Sequence, residues 1–119
     1  MFHVKRMNIG RLNKRVDIMG YVTSKDEMGQ LKQTLQKVAT VWADIKPMRG
    51  SELYEVGRLQ SKMTHRIYIR YLPDVTTSNW IVYNGKRFNI VSVVNPDYEN
   101  KYLEIYAEYR TGKAVIDNV

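Results

Sequence analysis

The chain has 119 residues, 44 % of them hydrophobic and 26 % charged, with a net charge of +7 and no cysteine. That is enough chain for one globular domain, and the lack of cysteine excludes disulfides and thiolate metal sites. No apolar run reaches the length of a bilayer span, and MFHVKRMNIGRLNKR lacks the continuous apolar core of a signal peptide.

Residues 1–14 read as an irregular basic arm. Lys5, Arg6, Arg11, Lys14 and Arg15 all precede the first acidic residue, Asp17. A basic leading segment suits a polyanion or an acidic protein surface, and a solubilising tail has the same composition. Val16, Ile18, Gly20 and Val22 then alternate with Asp17, Met19 and Tyr21, which predicts a strand. The polar stretch TSKDEMGQLKQ, with Gly29, reads as a turn or flexible hairpin loop.

Strand signals return from Thr34 to Lys46. Leu35, Ala39, Val41, Ala43 and Ile45 share one parity, and Val38, Thr40 and Trp42 the other. Pro47 cannot donate to a ladder, so the strand ends there or lies at an edge. Residues 48–63 form an inserted arm. Ser51 can cap a short helix with Glu52 in its first turn, and Leu53, Val56, Leu59 and Met63 are spaced at threes and fours. Gly57 weakens that helix by about 1 kcal/mol relative to alanine, so a mobile loop remains open as the other reading.

Thr64–Tyr71 is a clear strand, with Ile67, Ile69 and Tyr71 on one face and Arg66, Tyr68 and Arg70 on the other. LPDVTTSN is a turn region. In WIVYNGKRFNIVSVV the Asn84-Gly85 pair sits between two β-rich runs and fits a type I′ turn, which pairs Ile81 with Phe88 and Val82 with Arg87. NPDYENK is a further turn. Tyr102–Tyr109 alternates again, with Leu103, Ile105 and Ala107 on one parity. Residues 111–119 form a weakly patterned tail. The whole reads as one mainly β domain spanning residues 1–119, a small antiparallel barrel of about six strands with a short helix or flexible loop inserted between the second and third.

Catalytic signatures are weak. His3 and His65 stand without an HxH, HExxH or His-carboxylate cluster, and no phosphate-binding loop or nucleophile motif occurs. The expectation is a protein that is not an enzyme and carries no cofactor or metal. The strand face Arg66, Tyr68, Arg70 has the composition of a single-strand nucleic-acid platform, and equally that of a two-sided strand on which tyrosine packs and arginine snorkels. Trp80, Val82, Val91 and Val93 lie opposite in parity to Ile81, Phe88 and Ile90. Two apolar faces predict that the outer one is covered, by the inserted arm or by another subunit.

The pieces IGRLNKRVDI, VWADIKPMRGSE, HRIYIRY, IVYNGKRFNIVSVVNP and YLEIYAEY, in this order from about Ile9 to Tyr109, resemble the head–tail joining proteins of long-tailed phages, also called head-closure, head-completion or stopper proteins. The resemblance implies a virion protein, made in the bacterial host cytoplasm. It implies a homo-oligomeric ring beneath the portal or adaptor ring that closes the channel after DNA packaging and offers a docking surface to a tail-terminator or tail tube protein. Packaged DNA would be a partner by proximity, with no membrane involved. On that reading Arg49, Ser51, Glu52, Leu53, Tyr54, Val56, Arg58 and Leu59 form a channel-gating or subunit-contact arm, and Lys5, Arg6, Arg11 and Lys14 reach a partner ring. The alternative is a small barrel binding single-stranded nucleic acid through Arg66, Tyr68 and Arg70.

Overall fold

The computed structural model describes residues 9–48 and 63–109. Six strands form a closed antiparallel barrel: β1 (Lys14–Lys25), β2 (Leu31–Pro47), β3 (His65–Arg70), β4 (Trp80–Tyr83), β5 (Lys86–Val94) and β6 (Tyr102–Tyr109), in the order β1-β2-β3-β6-β5-β4. Closure comes from β4 returning to β1, Ile18 opposite Ile81 and Met19 opposite Trp80. A short 3₁₀ turn, Ile9–Arg11, precedes β1.

Alternation decides what fills the barrel. Val16, Ile18, Ala43, Ile67, Ile69, Ile81, Phe88, Ile90, Leu103, Ile105 and Ala107 point inward and are buried, as their period of two requires. The Asn84-Gly85 turn forms as the sequence predicts, with φ of 53° and 75° and with Ile81 opposite Phe88 and Val82 opposite Arg87.

Two bulges change the predicted parities. In β2 the register steps from Ile18↔Ala39 to Met19↔Lys37, so Val38 is an extra residue. An extra residue turns every later side chain to the opposite face. Leu35 therefore does not share a face with Ala39; it lies opposite Tyr21 on the outside. In β5 the step from Ile90↔Ala107 to Ser92↔Tyr106 makes Val91 the extra residue and returns Val93 to the inside, opposite Ile105 and packed on the core. The apolar two-sidedness of β5 is thus largely a bulge, with no covering layer needed for Val93.

The expected loop TSKDEMGQLKQ is mostly strand. Only residues 26–30 turn; β1 runs to Lys25 and β2 begins at Leu31. Cross-strand pairing holds these polar residues extended where burial gives no pattern. Lys14, expected in the basic arm, opens β1 opposite Ala43. The predicted helix or loop over residues 51–62, the first eight residues and the tail from residue 111 lie outside the described residues.

Candidate functional site

The barrel has two unlike ends. At one lie the start of β1, the end of β2, the start of β3, the Asn84-Gly85 turn and the end of β6. Segments 1–8, 49–62 and 110–119 all connect to this end. At the other lie the β1–β2 hairpin, the β3–β4 loop and the β5–β6 turn.

The roots of segment 49–62 are firmly held. The Met48 N–H donates to the Thr64 carbonyl at 2.9 Å, and the Thr64 N–H to the Ala107 carbonyl at 2.9 Å. The Tyr109 N–H donates to Thr64 Oγ1 at 2.8 Å, and Met63 is buried. His65 lies beside this knot. Its ring meets Phe88 edge-on at 5.1 Å and Tyr109 at 6.0 Å, and Thr64 Oγ1 is 2.9 Å from its Nδ1. Burial, then the nearby Lys86 charge, lowers its pKa from the ordinary value. Arg49, Ser51, Glu52, Leu53, Tyr54, Val56, Arg58 and Leu59, expected to form the gating arm, lie outside the described residues, as do Lys5 and Arg6.

Arg11 and Lys14 are described. Arg11 pairs with the buried Asp44 at 3.8 Å, which Lys46 also approaches at 3.9 Å, so this arginine is tied to the barrel wall. Lys14 donates to Asn13 Oδ1 at 2.8 Å.

Arg66, Tyr68 and Arg70 do share the outer face of β3, but the face is already engaged. Tyr68 Oη donates to Glu104 Oε2 at 3.0 Å, and the Arg66 guanidinium lies over the Tyr68 ring at 5.6 Å. Burial, with the Glu104 charge second, raises the Tyr68 pKa; the same causes push Tyr106 up to about 12. A stacking platform needs an open ring and net positive charge. Here the ring is covered and a carboxylate sits in the row, leaving only Arg70 of the three exposed.

At the opposite end the hairpin leaves the barrel wall. β4 pairs with β1 only as far as Met19, and β3 pairs with β2 only from Ala43. From Gly20↔Gln36 to Lys25↔Leu31 the two strands have only each other among the described residues. At about 3.4 Å per residue the free part is roughly 17 Å long. The tip is a built turn: Asp26 Oδ1 accepts from the Met28 and Gln30 N–H groups at 2.9 and 2.8 Å, and Gly29 has φ +83°. Asn79 clasps the root, donating from Nδ2 to the Met19 carbonyl at 3.2 Å. The outer face there carries a stripe: the Arg87 guanidinium stacks 4.1 Å over Trp80, Trp80 meets Tyr21 at 5.3 Å, and Leu35 and Leu31 follow. Tyr21, Leu31 and Leu35 are exposed, and Met28 is 85 % exposed.

Sequence reading did not find this arm. The available signal was the Asp26–Gly29 turn chemistry between runs rich in Thr, Val and Tyr.

Among the described residues no group of three or more His, Asp or Glu could hold a metal ion. The model of the phage head completion protein family matches residues 7–110. The chain belongs to that family. It is 28 % identical over 90 residues to the head completion protein gp7 of Enterobacteria phage HK97, covering 71 % of this chain and 80 % of that protein. The solution structure of protein SF1141 from Shigella flexneri 2a superimposes with a TM-score of 0.72 at 29 % identity, covering 90 % of this chain and all of that one. A chain from the virion of a native gene transfer agent particle shares the fold, with a TM-score of 0.55 at 22 % identity over 84 % of this chain and 96 % of that one. As a family member the protein is a structural component of the phage particle, placed among other virion proteins.

Proposed function

We propose that this chain, as one domain over residues 1–119, forms a homo-oligomeric ring at the head–tail joint. The ring closes the portal channel after DNA packaging and presents a docking surface to the tail. The observation that carries this is the division of the barrel's ends. Segments 1–8, 49–62 and 110–119 connect to one end, and the β1–β2 hairpin, the β3–β4 loop and the β5–β6 turn stand at the other, so one subunit presents two unlike ends to its neighbours in a stack.

Segment 49–62 leaves and returns through the Met48–Thr64 knot. Residues 49–59 supply the channel-facing arm. From Arg49 to Lys62, Arg49, Arg58 and Lys62 against Glu52 and Glu55 leave the segment close to neutral. That balance suits a plug, because each added phosphate contact would oppose the later release of DNA. Lys5, Arg6, Arg11 and Lys14 face the portal or adaptor ring, Arg11 from a fixed position on Asp44. The role is mechanical, without a catalytic step.

The test is electron microscopy of lysates of the parent phage lacking this gene. The expected result is DNA-depleted heads beside complete, separate tails. DNA-filled heads without tails would reduce the role to docking, and normal infectious particles would overturn it.

A further inference from the structure

The closed barrel order puts two exposed features at the same end and on opposite sides. Going round β1-β2-β3-β6-β5-β4, the β1–β2 hairpin and the β5–β6 turn are three strands apart in either direction. The turn is as carefully built as the hairpin. Asn95 Nδ2 donates to Asn100 Oδ1 at 2.7 Å, and the Asn100 N–H donates to Asn95 Oδ1 at 3.1 Å. Asp97, Tyr98 and Asn100 all hold φ near +55° to +60°, a left-handed conformation that a non-glycine residue adopts only where its surroundings enforce it. The result is a Tyr98 side chain 90 % exposed, with Val94 beside it at the end of β5, also exposed.

We propose that the outer face of the hairpin docks on the β5–β6 turn of a second copy of this chain. This rests on the ring reading and names its subunit contact. The apolar partners match: Tyr21, Leu31 and Leu35 on the arm, Tyr98 and Val94 on the turn. The charges match as well. On the same face the arm carries Lys25, opposite Leu31, while Asp26 is committed to its own turn and Lys37 to Asp17 at 3.6 Å. The turn carries Asp97 and Glu99, the latter sharing Lys101 at 3.7 Å. Glu27 at the arm's tip is the like charge the contact must leave in solvent.

Geometry selects a second copy. Two different patches on opposite sides of one barrel end make a heterologous contact, which forms a ring where its rotation closes. Barrel strands tilt from the barrel axis, so the arm's own direction carries it sideways towards a neighbour. Lysines along the free strands guard against indiscriminate edge pairing, so the contact is made with side chains on the face.

The chain has no cysteine, which makes cross-linking direct. Phage particles are prepared carrying Leu31→Cys with Tyr98→Cys in the same chain, and separately each single variant, and are treated with a short bis-maleimide. Leu35→Cys with Tyr98→Cys serves as a second pair, and thermal melting of each purified variant checks the fold. The expected result is a ladder of multimers of this chain from the double variants and none from the singles. A dimer from Leu31→Cys alone would mean an arm-to-arm contact and overturn the proposal. So would capture of a different virion protein, or particles that contain the chain and give no ladder. Particles lacking the chain would overturn the ring reading and this contact with it.

Discussion

The barrel and its hairpin arm are built from the same two strands, yet different forces hold them. Below Met19, β1 and β2 each have a second neighbour, and Val16, Ile18 and Ala43 are buried against Ile67, Ile81 and Ile105. Beyond Gly20, among the described residues, the same strands have no third strand and no buried face. An isolated two-stranded hairpin is marginal in water. This one is held by the Asp26 turn at its tip, the Asn79 clasp at its root and the Tyr21–Trp80 contact. Closing the sheet supplies stability, and extending two strands past the closure supplies reach.

The sharpest break in that comparison is a pair of truncations. Ile105→Ala removes a fully buried side chain and is expected to cost about 2–5 kcal/mol in denaturant unfolding. Leu31→Ala removes a side chain that is 72 % exposed and is expected to stay within about 0.5 kcal/mol. Equal costs would mean that the arm folds back on a core.

The joint comes next. A Cβ at Gly20 would collide with the Asn79 amide nitrogen and touch Val38. Gly20→Val therefore displaces the clasp from the Met19 carbonyl and is expected to cost about 1–3 kcal/mol, with faster amide exchange along residues 20–25 and 31–37. Two glycines sharpen the point further. Gly29 and Gly85 hold φ of +83° and +75°, and alanine at either meets no steric contact but a strain of about 1–2 kcal/mol. At Gly85, which links two barrel strands, that cost should appear in global unfolding. At Gly29 it should appear only as local fraying of the tip, visible in hydrogen exchange, with the global midpoint unchanged.

The same contrast explains what was legible in the sequence. β3, β6 and the β4–β5 hairpin showed plainly, because one buried face imposes a period of two and Asn84-Gly85 has a specific turn chemistry. The arm reads as a loop in the sequence because strands with no buried face carry no apolar alternation. The bulges at Val38 and Val91 leave no mark in the sequence, since an extra residue adds only one more β-branched side chain, so simple alternation puts Leu35 and Val93 on the wrong faces. For Arg66, Tyr68 and Arg70 the shared face was readable. The carboxylate that engages Tyr68 was not, because Glu104 lies 36 residues further along the chain and only the β3–β6 register brings it there.

The smallest expected effect concerns the barrel end opposite the arm. His65 is held between Phe88 and Tyr109 with its pKa below the ordinary 6.5. The unfolded chain takes up a proton near 6.5 while the native state resists it, so the unfolded state binds more protons as pH falls below that point. Stability is then fully present above 6.5 and declines on acidification. Solvent reaches the half-buried ring, which keeps the decline shallow. His65→Gln should flatten the stability profile between about pH 7 and about pH 5, measured by urea midpoints across that range. Arm variants such as Leu31→Ala should leave the slope as it is, since the arm leaves from the other end of the barrel. A slope unchanged in His65→Gln would place the proton elsewhere and release the Thr64 knot from any link to pH.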